Sequence, residues 1–301
     1  MNVLLVMKEQ SNSSWSSSLQ YLAEEFKNKG LDVYYVGEIY SDIDISVYDK
    51  IIINHSYCFY KFLLKFGFNK KIIFIPHEGE PFLGWYHAIK QKQLNRFGAY
   101  LRYSKLYNLI PYYLSSETVL LSDLQRNLYK KGKVINLLGV NEDIFKPEKI
   151  KKTHDIFFPS KRTSPEKGFH KVICLSRRYS ILFPDNTPNN EMVKMYNQSK
   201  VILIPSVFET YGLVVIEAML TNSVIIVSEN IGIIHDLLKK FSKEELSNKG
   251  VFIFSMNDNI KDYVEKAMNF YVESISDSRN LALDFGLSYK KTSQRLIDYV
   301  R

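Results

Sequence analysis

Cysteine is nearly missing from this chain: Cys58 and Cys174, in unrelated apolar contexts, are the only two. Two lone thiols give no metal-ligand spacing and no disulfide framework, so a reducing, cytoplasmic setting is the expectation. No apolar run approaches the ~18 residues that a membrane-spanning helix needs. The opening MNVLLVMKEQ is too short in apolar residues to read as a signal peptide. Apart from one serine-rich stretch, SNSSWSSS (11–18), there is no low-complexity tract, and there is no internal repeat, which excludes solenoids and propellers. Acidic residues are absent from residues 81–116 altogether, whereas Lys90, Lys92, Arg96, Arg102 and Lys105 lie there among Trp85, Tyr86, Phe97, Tyr100, Tyr103, Tyr107, Tyr112 and Tyr113. Such a mixture fits a peripheral membrane face or an acceptor-binding face, and it can also stack on single-stranded nucleic acid. Ordinary helices with aromatic core faces and solvated lysines have the same composition.

What is present fits a globular protein. The 301 residues are 46% hydrophobic and 24% charged, enough for about two domains with real cores. The formal charge of +8 fits an anionic partner such as a nucleotide, a phospholipid surface or a nucleic acid, and equally a basic, soluble protein from a lysine-rich proteome. Short β-rich runs alternate with helical ones. NVLLVM (2–7), LDVYYVG (31–37), KIIIN (50–54) and KKIIFIP (70–76) read as strands; LQYLAEEFKNKG reads as a helix stopped by Gly30 after the serine loop. Residues 117–131 read as helical and KVINLLGV (133–140) as a strand. NEDIFKPEKIKK (141–152) is polar, aperiodic and holds Pro147, so it reads as a linker. A second set follows: HDIFFPS (154–160), a helix over about 165–178, SILF (180–183), a helix near 190–199, KVILIP (200–205), a helix from about 212 to 221, SVIIVS (223–228), GVFIF (250–254) and helices near 257–272 and 288–301. This alternation specifies α/β units with parallel sheets covered on both faces.

Four places carry candidate chemistry. In PSVFETYGLVVIEAM (205–219), Glu209 and Glu217 stand with seven residues between them. Glu209 falls on the loop at the carboxyl end of a strand, where ligands bind in open α/β sheets. Glu217 falls inside a helix, beside Leu213, Val214, Leu220 and Thr221. A carboxylate there needs either a buried cation or hydrogen bonds from a ligand, and two vicinal hydroxyls match its two oxygens. The amides of Tyr211, Gly212 and Leu213 open that helix and suit an anion, with Gly212 letting it come close. In SKRTSPEKG (160–168), Ser164 has the character of an N-cap and Pro165 of a first helical residue, which puts Lys167 in the first turn. A cation is disfavoured there; either Lys167 points into water at little cost, or an anion shared by Lys167, Arg162 and the helix end removes the conflict. In IPHEGEP (75–81), His77 follows a strand and is flanked by Glu78 and Glu80; it suits acid–base or donor contacts, or a plain surface loop. The basic, aromatic 81–116 segment is the fourth.

Taken together these stretches resemble the retaining GT-B glycosyltransferases of glycosyltransferase family 4. Pro205-Ser206, Glu209, Gly212-Leu213-Val214 and Glu217-Ala218-Met219 look like its two-glutamate signature. LGVNEDIFKP (138–147) looks like its interdomain segment, KRTSPEKG like its arginine–lysine donor motif, and GLSYKKTSQRLIDYV like its returning C-terminal helix. The resemblance implies two Rossmann-like domains facing across a cleft: residues 1–140 on the acceptor side, with helix 285–301 packing back on them, and residues 141–284 on the donor side. It implies a hexosyl transfer from a nucleoside-diphosphate sugar, with no metal, to a glycan, lipid-linked or small-molecule acceptor. Arg162 and Lys167 would hold the diphosphate, Glu217 the ribose hydroxyls, Glu209 the sugar hydroxyls beside the Tyr211–Leu213 amides, and His77 the sugar edge. The chain departs from the family in four ways. The first loop has serines where glycines are usual, Lys161 precedes Arg162 in place of a glycine, and Thr210 stands where a small residue or proline is common. The stretch between Lys167 and Tyr196 is shorter by about one strand–helix unit, which implies a shortened C-terminal domain. Two other readings stay open at this level: a transferase acting on nucleic acid, and a catalytically silent GT-B-like subunit.

Overall fold

The computed structural model describes residues 2–7, 14–35, 43–69, 71–77, 105–184 and 187–301. Glu78, Glu80 and residues 81–104 of the basic, aromatic segment lie outside the described residues. Strand and helix alternate as the hydrophobic pattern requires. The first unit holds β1 (Val3–Met7), α1 (Ser14–Asn28), β2 (Asp32–Tyr35), β3 (Lys50–Asn54), α2 (Ser56–Phe66), β4 (Ile72–Ile75), α3 (Lys105–Leu114), β5 (Glu117–Leu120), α4 (Asp123–Tyr129) and β6 (Lys133–Val134). The second holds β7 (His154–Phe157), α5 (Phe169–Val172), β8 (Ile181–Leu182), α6 (Asn189–Gln198), β9 (Ser199–Ile204), α7 (Leu213–Leu220), β10 (Val224–Ser228), α8 (Gly232–Leu237), α9 (Lys243–Asn248), β11 (Val251–Phe254), α10 (Ile260–Glu273), α11 (Ser278–Asp284) and α12 (Tyr289–Val300).

Both sheets are parallel, with strand orders β2-β1-β3-β4-β5-β6 and β11-β10-β9-β7-β8. Counted from its own first strand, the second sheet repeats the 2-1-3-4-5 winding of the first. Each therefore reverses direction at one point, β1/β3 in the first and β7/β9 in the second, and open α/β sheets bind ligands outside such a point. Apolar residues run unbroken along these strands because both faces are covered. Val3, Leu5 and Met7 enter one core, and Leu4 and Val6 the other. In the second sheet Ile202 and Ile204 face the core shared with α12, while Val201 and Leu203 face the outer helices. The final helix lies on the first unit: Tyr289 packs on Tyr21 with ring centroids 4.6 Å apart, and Arg301 donates to the Lys29 carbonyl at 3.2 Å.

The structure departs from the sequence reading at four places. Glu117–Leu120 is a strand, not a helical start, and Ser122 caps the shorter α4 by accepting from the Gln125 amide at 3.2 Å. Thr118, Val119 and Leu120 are β-branched or apolar and are buried in the sheet between β4 and β6, so tertiary burial overrides helical periodicity. Ser14–Ser18 is helical and opens α1 rather than belonging to a loop. Strand β6 is only Lys133–Val134 instead of 133–140. The helix expected over 165–178 is broken into a 3-10 turn (Pro165–Lys167), the single turn α5 and a second 3-10 turn (Ile173–Leu175). Gly168 breaks it with φ +72°, and a Cβ there would sit 2.0 Å from the Pro205 carbonyl oxygen. Helices α8, α9 and α11 carry no strong signal of their own, being short. Among the described residues no helix is long and apolar enough to cross a membrane.

Candidate active site

The loops that follow β7 and β9 flank the reversal point of the second sheet, and they bring together residues far apart in sequence. The 3-10 turn after β7 carries Lys167, held by its amide bond to the Ser164 carbonyl at 3.0 Å. Across from it, the loop after β9 carries Glu209. Lys167 Nζ lies 2.9 Å from Glu209 Oε1, with the two side chains 25% and 13% exposed. The Ser206 hydroxyl donates to the same oxygen. The Val207 amide bonds the Glu166 carbonyl at 2.8 Å, so the two loops are also stitched through backbone. Burial opposes the Lys167 charge, but Glu209, with Glu166 and Glu217 further off, outweighs it and holds the ammonium above the usual lysine value. Lys167 is therefore a fixed cation at the mouth of the sheet.

Glu217 is 1% exposed, one helical turn inside α7. Its Oε2 accepts from the Tyr196 hydroxyl at 2.8 Å. Tyr196 is fully buried on α6, wedged edge-on against Phe157 with ring centroids 5.1 Å apart. Burial first, then the adjacent Glu217 carboxylate, pushes the Tyr196 hydroxyl well above the ordinary tyrosine value, so it stays a donor. The buried glutamate that the sequence left without a partner is thus met by a tyrosine hydroxyl, and its charge also reaches Lys167. Sequence reading missed Tyr196 and Ser206 as site residues. The available signal was a polar-tipped aromatic on the buried face of α6 immediately before β9.

Arg162 follows β7 on the same edge. It is exposed, and its guanidinium lies 5.2 Å from the Phe183 ring centre just beyond β8. Gly212 caps α7 with φ +101°, and the space its Cβ would fill is taken by Ile231 Cγ2, 2.3 Å away. Its glycine is thus required by backbone conformation and by Ile231, a different reason from the close ligand approach inferred from sequence. The amides of Tyr211, Gly212 and Leu213 stand at the start of α7, where the first four N–H groups of any helix lack intrahelical partners. The Tyr211 ring itself is buried. From the first unit, His77 follows β4; its Nε2 contacts Asn54 Oδ1 at the end of β3, and its ring stacks on His55 at 6.3 Å between centroids. The Thr210 hydroxyl donates to the His77 carbonyl at 2.9 Å, which sets His77 beside the Glu209 loop. Lys167, Glu209, Glu217 and His77 are brought to one region; Arg162 borders it at the β8 side.

Residues 177–280 match the family model described as glycosyl transferases group 1. The chain has a GT-B fold, and this part of it is similar to that family. The matched stretch contains Tyr196, Glu209, Tyr211–Leu213 and Glu217, while Arg162, Lys167 and His77 precede it. No curated protein matches the chain. Many solved structures share its fold, among them the following three. Sucrose-phosphate synthase from Thermosynechococcus elongatus has a TM-score of 0.72 at 11% identity, covering 100% of this chain and 98% of that one. Anabaena HepE in complex with UDP-glucose has a TM-score of 0.68 at 12% identity, covering 99% of each. A UDP-forming α,α-trehalose-phosphate synthase from Burkholderia vietnamiensis has a TM-score of 0.59 at 10% identity, covering 99% of this chain and 96% of that one.

On the junction between the units the chain buries an acid. Asp236 on α8 accepts the Asp123 amide at 3.0 Å, and the Asn136 amide, turned to satisfy both its ends, donates to it at 3.2 Å. Burial pushes Asp236 up to about 6, against the Asp123 amide and with the help of the Asp123 carboxylate. Because the folded value exceeds the unfolded one, the folded state holds the extra proton between about pH 4 and 6. Stability from this group is therefore lost as pH rises through that window. Asp236→Asn removes the buried charge and keeps one acceptor, for the Asp123 amide, while its new NH2 donates to an Asn136 side chain turned to present its oxygen. It is expected to stabilise the protein by on the order of 2 kcal/mol at pH 7.5, with the gain vanishing near pH 4.5. Paired thermal melts of variant and wild type across pH 4–8 check this; a loss of stability at pH 7.5 would contradict it.

Proposed function

We propose that the chain transfers a hexosyl group from a nucleoside-diphosphate sugar to a glycan, lipid-linked or small-molecule acceptor, with retention of anomeric configuration. The observation that carries this reading is Lys167, a buried-edge cation set against Glu209 at the reversal point of the second sheet. In the reaction the bond from the anomeric carbon to the phosphate oxygen breaks. A bond to the acceptor oxygen forms on the same face, and the acceptor proton passes to the departing phosphate. Negative charge grows on that phosphate, and fixed cations and helix-start amides aimed at it lower the barrier. Lys167, Arg162 and the first amides of α7 are the groups proposed for that work, with no metal. Glu209, oriented by Ser206 and Lys167, is assigned the sugar hydroxyls, and Glu217, oriented by Tyr196, the ribose hydroxyls.

The acceptor is assigned to the first unit. There α2 exposes Leu64, α3 exposes Ile110 and Tyr113, and Phe68 is exposed just past α2, which also holds Lys61 and Lys65. Exposed apolar residues together with basic ones suit an anionic lipid surface. The test is a panel of nucleotide sugars, UDP-glucose first because the HepE relative was solved with it, read by thermal stabilisation and by hydrolysis, alongside co-sedimentation with anionic and neutral vesicles. One nucleotide sugar is expected to stabilise the chain and turn over, and anionic vesicles to retain it. Stabilisation by none of the panel overturns the donor reading; equal indifference to both vesicle types overturns the lipid face.

A further inference from the structure

Thr210, the residue that stands out against the family pattern, touches the first unit twice. Its Oγ1 donates to the His77 carbonyl at 2.9 Å, and its own carbonyl accepts the Ser122 hydroxyl at 2.6 Å. Ser122 is fully buried and also accepts from the Gln125 amide at 3.2 Å. The Gln125 side chain, equally buried, accepts from the Leu121 amide at 2.7 Å and donates to the Pro76 carbonyl at 2.8 Å. Pro76 and His77 are chain neighbours, so the bonds close into a ring running Thr210, His77, Pro76, Gln125, Ser122 and back to Thr210. Opposite this ring stands Gly232. A Cβ there would lie 2.1 Å from the Thr210 carbonyl oxygen and 2.5 Å from Ser122 Oγ, so the approach is closed to any larger residue. On its other side the Glu209 backbone is fixed by its amide to the Asn230 carbonyl and by its carbonyl from the Gly232 amide, each at 3.0 Å.

We propose that Thr210 is a positioning residue that ties the Glu209 loop of the second unit to the His77 loop of the first, setting the separation at which the two meet one sugar. This rests on the donor reading above. The ring is polar, buried at Pro76, Ser122 and Gln125, half-buried at Thr210 and His77, and satisfied at each named joint, and such networks hold one geometry because breaking one bond strands its partner. A nucleotide held by Glu217 and Lys167 touches only the second unit, whereas the sugar sits where the units meet. Loss of the tie therefore leaves nucleotide binding alone and displaces the groups around the sugar. Small displacements of this kind are costly to rate.

The test compares Thr210→Val, which keeps the β-branch and removes the hydroxyl, with Thr210→Ser, which keeps the hydroxyl. In Thr210→Val, kcat is expected to fall roughly ten- to a hundredfold, with nucleoside-diphosphate affinity by calorimetry within about twofold of wild type. Thr210→Ser is expected to restore most of the rate. Hydrogen exchange gives an arm that needs no activity: the amides of Ile75, His77 and residues 209–212 should exchange faster in Thr210→Val and return toward wild type in Thr210→Ser. Unchanged exchange overturns the tie. Faster exchange with unchanged kcat, a fall in nucleotide affinity that matches the fall in kcat, or a serine variant as slow as the valine variant overturns its positioning role. A wild-type chain that turns over no nucleotide sugar, with exchange responding as described, overturns the donor reading and leaves the tie standing.

Discussion

Lys167→Met lowers kcat by about a hundredfold or more, with a smaller effect on donor affinity. Methionine keeps an apolar stem of similar length, so the packing under the β7 loop is retained and the charge alone is removed. That charge sits 2.9 Å from Glu209 and is held above the ordinary lysine value by Glu209, Glu166 and Glu217. When a diphosphate arrives it brings further negative charge to the same place. The lysine then faces a carboxylate and a phosphate, and its attraction to the phosphate grows as the leaving group gains charge, which is a contribution to the transition state more than to the ground state. Arg162→Ala acts in the same direction with a smaller loss, since Arg162 is exposed and already lies on Phe183. Steady-state kinetics with saturating donor checks both. A Lys167→Met variant within about threefold of wild-type kcat would contradict the charge role.

Glu217→Gln should weaken nucleotide binding by about ten- to a hundredfold, an effect of the size measured for hydrogen bonds to charged groups, while kcat at saturation changes little. Glutamine fits the same space and keeps an acceptor for the Tyr196 hydroxyl, so the α6–α7 contact survives. What it loses is one acceptor and the negative charge that two ribose hydroxyls would share. Glu217→Ala is a poorer test, since it strands the fully buried Tyr196 hydroxyl and opens a cavity in α7. The decisive comparison uses a nucleoside diphosphate and its 2′-deoxy analogue. Wild type should prefer the ribonucleotide, and Glu217→Gln should bind both alike. A variant that keeps the wild-type preference would show that Glu217 serves α7 and Tyr196 only.

Much of this arrangement was legible in the chain because parallel sheets leave an unambiguous trace. KIIIN, KKIIFIP and KVILIP are apolar on both faces and could only be buried strands. The turn between KVILIP and a helix starting near Gly212 places Glu209 at a carboxyl edge from the sequence alone. The break at Gly168 was less accessible. Its glycine looks like an ordinary interruption in sequence, and only the Pro205 carbonyl beneath it explains why the helix cannot run through. The reading of 117–131 as one helix failed for a related reason. Glu117–Leu120 is β-branched and apolar in equal measure, and its place beside β4 is decided by the sheet, not by local preference. The Tyr196–Glu217 bond and the Thr210–His77 bond join residues on different elements, and no spacing along the chain encodes them. Thr210 did show itself in the sequence, as a misfit, and the structure gives the misfit hydrogen-bond partners in the first unit.

The most direct test of the account is a crystal structure of the chain with the nucleoside diphosphate that its own stabilisation screen selects. The account predicts phosphate oxygens within about 3 Å of Lys167 Nζ, ribose hydroxyls on Glu217, and Tyr196 still donating to that carboxylate. A diphosphate bound elsewhere, with Lys167 still closed on Glu209 alone, would contradict it.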